Sequence, residues 1–169
     1  MDLLLQILPE EGGRQPLEVR RPVAGVVVHV SGALRRQASL EEDLPYDINQ
    51  PVIAIKPQDY GIWYIDCMDQ PERYAGKTVE FTAMVLRHPN FPKDQFVPGR
   101  MAMTCCEADM SFLGFPCKYG DAASLKTKDW VRVQAEVRVE YQKEYRGEGP
   151  VLYAKKVERD KEIKDIVTF

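Results

Sequence analysis

The chain has 169 residues, 44% of them hydrophobic and 29% charged, the composition of a folded globular protein rather than a disordered one. Its formal charge of −3 and pI near 5.5 lend no support to a nucleic-acid or anionic-membrane partner. No apolar run approaches the roughly 20 residues a membrane helix needs, and Leu3–Leu8 lacks the flanks of a signal peptide, so a soluble chain with no membrane insertion of its own is expected.

Residues 1–21, with Pro9, Gly12-Gly13 and Pro16, read as an extended lead-in with room for a strand over Leu3–Leu8. Pro22–Val30 is a nearly continuous β-branched run ended by Ser31-Gly32, which predicts a buried strand. Residues 33–50 are polar, with an acidic cluster at Glu41-Glu42-Asp43, and predict a loop or short edge element; Pro51–Ile55 predicts another short strand. Between Gln58 and Met68, the residues Tyr60, Trp63, Tyr64, Cys67 and Met68 recur at three- and four-residue spacing. That is one face of a helix, stopped by Asp69–Pro71. Residues 22–73 thus form a smaller amino-terminal strand and helix segment.

From residue 74 the period changes to two. Val79, Phe81, Ala83 and Val85 alternate with Thr78, Glu80, Thr82 and Met84 in a long strand. A loop with Pro89, Asn90 and Pro92 leads to a second strand, Gln95–Cys105, bent at Pro98-Gly99. A tight turn over Glu107–Ser111 precedes a third strand, Phe112–Tyr119, and Gly120–Lys128 is a connector with room for one helical turn. Trp130–Glu140 alternates most clearly, with Val131, Val133, Ala135, Val137 and Val139 inward. Gly147–Pro150 is expected to turn into a fifth strand, Val151–Val157, followed by a charged, solvated end through residues 161–169. The fold class expected is mainly β (α+β), with residues 74–160 forming a five-stranded OB-like Greek-key barrel. A plain five-stranded meander fits the pattern almost as well.

Cys105 and Cys106 are adjacent where the second strand ends, and Asp109 follows three residues later. Neighbouring strand residues point to opposite faces, which makes two adjacent thiols a poor core choice. A disulfide between them would be strained, since consecutive Cα atoms are only about 3.8 Å apart. Metal or thiol chemistry remains: thiolates suit Zn²⁺ or Cu(I), and a carboxylate can complete a zinc shell. Cys117, on the returning strand, is a possible third thiolate. The bland alternative is one core thiol, one surface thiol and an aspartate capping the turn. Cys67 and Cys117 are open to pairing in an oxidising compartment or to roles as buried thiols, the latter leading for Cys67.

Arg100 lies in an apolar strand, where an anion site is weighed against a structural ion pair with Asp109 or a loop carboxylate, the pair being favoured. His29 and His88 stand alone and read as core or turn residues, and Tyr60, Trp63, Tyr64, Trp130 and Tyr153 as core packing. Catalytic motifs are missing: no Gly-x-Ser-x-Gly, no phosphate-binding glycine loop, no His-Glu-x-x-His and no dinucleotide fingerprint.

Pro71–Val79, Phe91–Phe96, the block from Arg100 through Cys105-Cys106 to Asp109, Leu113-Gly114 and Asp129–Val131 carry a resemblance. From about Asp59 to Val157 the chain resembles the carboxy-terminal domain of a poorly characterised bacterial family, membrane-anchored proteins that accompany predicted two-subunit permeases. The resemblance implies an OB-like barrel and a permease partner. The membrane helices that precede the domain in that family have no counterpart here. The location it implies is membrane-associated or extracytoplasmic for part of an anchored protein, and cytoplasmic otherwise. The function expected is a non-enzymatic accessory module with Zn or another soft transition metal at Cys105, Cys106, Asp109 and Cys117. The alternatives are a single-stranded nucleic-acid-binding barrel, which the charge opposes, and thiol redox chemistry.

Overall fold

The computed structural model of the chain describes residues 44–103, Cys106 and residues 108–168. The strands expected at 3–8 and 22–30, His29 and Cys105 lie outside the described residues. In chain order the strands are β1 (Val52–Ala54), β2 (Thr78–Leu86), β3 (Gln95–Met103), β4 (Met110–Gly114), β5 (Cys117–Lys118), β6 (Trp130–Gln142), β7 (Gly147–Arg159) and β8 (Val167–Thr168). One α-helix, α1 (Tyr60–Asp69), is present among the described residues, with single 3-10 turns at Pro57–Asp59, Pro71–Arg73 and Ala122–Ser124.

All eight strands belong to one sheet, so the fold is mainly β. Its path runs β1–β2–β6–β7–β5–β3–β4, and an extra β2–β3 pairing leads back to β2. The β2–β3, β2–β6, β6–β7 and β3–β5 ladders are antiparallel, whereas β5 and β7 run parallel. The length of β2 permits this: residues 78–84 pair with β6, while Met84–Leu86 pair with β3. The alternation read from β6 holds through Val131, Val133, Ala135 and Val137, at 0–1% exposure, while Val139, also expected inward, is only partly buried. Opposite them, β7 carries one extra residue, Lys155, because Gln134 faces Lys156 while Ala135 faces Ala154.

The helix supplies the aromatic floor of the core. Tyr64 stacks on Phe115 with ring centroids 4.6 Å apart, and Trp63 meets Phe115 edge-on and Phe81 at 4.9 Å. Tyr60 adds a hydrogen bond from its hydroxyl to the Leu113 carbonyl at 2.8 Å. Burial extends beyond the predicted stripe, since Gly61, Ile65 and Asp66 are buried as well and only Ile62 and the last residue, Asp69, are exposed. Sheet on one side and the 44–50 and 71–74 segments on the other cover α1 more fully than one face of a surface helix.

Three expectations about strand limits are corrected. The third strand is divided into β4 and β5 at Phe115-Pro116, where proline has no N–H for the ladder; its carbonyl instead accepts the Leu152 N–H at 2.8 Å. The last turn is not Gly147–Pro150, which pairs with β6, but residues 143–146, with Arg146 at φ 51°. Tyr145 folds back over Gly149, where a Cβ would collide with its ring, and donates to the Pro150 carbonyl. Finally, the charged end is mostly exposed through residue 166, but Val167 is buried and β8 pairs parallel with β3.

Candidate functional site

Met103 and Met110 are the last pair of the β3–β4 ladder, and Cys106 and Asp109 lie between them in the chain, at the turn from β3 to β4. Cys106 and Asp109 are both exposed on this turn, and the Asp109 N–H donates to the Cys106 carbonyl at 2.9 Å. Their closeness is therefore local, as the spacing implies.

Cys117 is elsewhere. It faces Phe96 in β5, at the opposite end of β3 from the turn, and it is fully buried. Seven residue steps from Phe96 to Met103, at about 3.3 Å each, put the two ends on the order of 20 Å apart. The third-thiolate expectation fails on this register. Burial pushes the Cys117 thiol well above its ordinary range, so it serves as a core thiol. Cys67 is likewise fully buried with its pKa raised by burial, and neither is in a disulfide. Among the described residues there is no group of three or more His, Cys, Asp or Glu placed to hold a metal.

Arg100 is 2% exposed and points inward from β3. In place of the expected ion pair with Asp109, its guanidinium donates to the Asp165 carbonyl at 2.6 Å and, at 3.4 Å, to that of Pro57. Its carbon lies 5.8 Å from the Tyr60 ring centroid and 6.0 Å from that of Trp130. Among the described residues no carboxylate comes within 4.0 Å of it, and burial lowers its pKa. The residue pins the carboxy-terminal segment to β3 and leaves no exposed cation for an anion.

A family model for the DUF1980 C-terminal domain matches residues 31–169. The chain belongs to the DUF1980 C-terminal domain family. No curated protein matches it. Among the described residues of this DUF1980 domain, no helix is long and apolar enough to cross a membrane.

One polar constellation of the DUF1980 domain escaped the sequence reading. Asp66, 1% exposed, accepts from Arg73 at 2.8 Å and from the Tyr74 hydroxyl, which lies 2.7 Å from the Tyr46 hydroxyl. Burial raises the Asp66 carboxyl above its ordinary value, and the bonds from Tyr74 and Arg73 offset part of that rise. Burial also pushes both tyrosines up, so they stay protonated donors. Asp66 sits one position from Cys67, and its partners come from 73 and 74, with Tyr46 bonded behind Tyr74, a grouping no helical spacing announces. His88 has the expected turn role, its Nδ1 accepting the Asn90 N–H at 3.2 Å. Tyr153 is corrected to the outer face, beneath Arg138 at 4.0 Å and bonded to Glu140.

Proposed function

We propose that this DUF1980 domain is a non-enzymatic binding module built on an OB-like barrel, which serves a membrane permease and presents a soft metal ion at its β3–β4 turn. The strand circuit carries the reading. With β4 and β5 taken as one interrupted strand, the pairings β2–β3, β3–β5, β5–β7, β7–β6 and β6–β2 follow an OB-type Greek key, including its one parallel contact. Between β3 and β4 the chain presents Cys106 and Asp109, both exposed. Thiolate and carboxylate are donors for Zn²⁺, with Cys105 next in sequence. The permease partner and a membrane-associated or extracytoplasmic location rest on the resemblance described above.

A nucleic-acid role would call for exposed aromatics among lysines and arginines on β2 and β3. The positions opposite the core there include Thr78, Glu80, Thr82, Met84 and Leu86 on β2 and Val97 and Met101 on β3, with no aromatic, lysine or arginine among them. Metal analysis of protein purified without chelator, alongside Cys105→Ser and Cys106→Ser, tests the site. Metal is expected in the parent and a marked loss in the serine variants; equal and negligible metal in all three removes the proposal.

A further inference from the structure

The outer face of β3 and β4 is unusual in its sulfur content. Met101 and its cross-strand partner Phe112 pack outward with Phe91 and Val97, whereas the neighbouring Ala102 and Leu113 belong to the inner core. Alternation then places the next outward pair, Met103 and Met110, on the same side, both partly exposed, at the base of the Cys106 turn. Met84 packs on this face too, so four of the chain's six methionines gather here. Solvent-edge strand positions ordinarily take β-branched or polar residues. Thioethers at both members of the terminal pair therefore ask for an explanation beyond apolar cover.

We propose that Met103, Met110 and Cys106 form a thioether and thiolate site for monovalent copper. The proposal rests on the reading that the β3–β4 turn takes a metal, and it names the ion and two ligands that the cysteine motif alone does not. Directly opposed residues in an antiparallel pair have Cβ atoms about 4.5–5.5 Å apart. Unbranched methionine side chains with three rotatable bonds can bring their sulfurs together above such a pair. Cys106 lies three residues after Met103 and four before Met110 and is itself exposed. Neutral thioethers offer little to Mg²⁺ or Ca²⁺ and are not among the usual zinc donors, whereas Cu(I) accepts thioether and thiolate together. Binding displaces the Cys106 thiol proton to solvent and involves no change of oxidation state.

The test is an anaerobic titration with Cu(I) against a chromophoric Cu(I) chelator, and a parallel titration with Zn²⁺ against a zinc dye. The proteins are the unaltered chain, the double variant Met103→Leu, Met110→Leu, and Cys106→Ser. Loss of a direct ligand should weaken binding at least as much as loss of an outer-shell partner, so the double variant should lose roughly 10–100-fold in Cu(I) affinity. Its Zn²⁺ titration should be unaltered. X-ray absorption of Cu(I) bound to selenomethionine-labelled chain should show copper–selenium scattering, a readout that needs no substitution. Cu(I) binding indifferent to both methionines, with no copper–selenium path, overturns the inference. If Zn²⁺ still binds through Cys106 in that case, the proposed function survives without it; if neither metal binds, both fall.

Discussion

Asp66 and Arg100 are the two most deeply buried charged residues among those described, and they are compensated in different ways. Asp66 has a charged partner and a phenol, whereas Arg100 has carbonyl oxygens and aromatic faces. Because burial raises the Asp66 pKa, the folded state holds its proton more tightly than the unfolded chain does. The stabilisation this gives is complete below the ordinary carboxylate value of 3.8 and is lost as pH rises through the higher folded value. Denaturant unfolding from acid to neutral pH should show that decline in the parent and a flatter profile in Asp66→Asn. Asp160 and Glu136 act oppositely, since hydrogen bonds from Thr82 and Arg138, respectively, lower their pKa values, so the comparison must be between slopes. Tyr74→Phe leaves Asp66 and Tyr46 each short of a partner and should cost about 1–3 kcal/mol, read as a shifted unfolding midpoint.

At the level of elements, the strands with a clean two-residue period were legible because one face is buried and the other wet. β2 and β6 are found within two residues of their expected limits, and α1 falls where the aromatic spacing put it. The misplaced turn at Gly147–Pro150 has a physical cause: Gly and Pro mark turns in isolation but are also what a crowded strand crossing requires. Gly147–Pro150 lies within β7 because Tyr145 covers Gly149; Pro98-Gly99, expected inside its strand, does lie within β3, where Gly99 passes Gly114 at close range. A Cβ on Gly99 would come within 2.6 Å of the Phe112 ring and closer still to the Leu113 carbonyl oxygen. Gly99→Ala should therefore destabilise the domain by about 1–3 kcal/mol through overpacking, measurable as a lower melting midpoint.

On the scale of the whole molecule, the pairing circuit and the return of the chain end to β3 tie distant segments into one core. Arg100 links β3 to the Asp165 carbonyl just before β8, and Val167 packs beside α1 and β3. Replacing Arg100 by Ala should release the 160–168 segment, seen as faster amide exchange at Val167 and Thr168. Cys67 and Cys117 sit in the same core cluster. Their thiols, buried and raised in pKa, should resist alkylation until global unfolding and then react together, while Cys106 reacts in the folded protein. Early labelling of Cys117 alone would contradict a single cooperative core.

The β-rich class, the helix and the chemically unusual turn were all present in the linear pattern, because period, thiol adjacency and turn residues are local properties. Tertiary structure alone decided which distant groups meet. It put Cys117 on the order of 20 Å from the turn it seemed to serve, paired Arg100 with main-chain carbonyls, and gathered Tyr46, Asp66 and Tyr74 in one buried group. Strand register is the physical reason: it sets which residues share an end and a face, and it arises from ladder pairing between segments far apart in the chain.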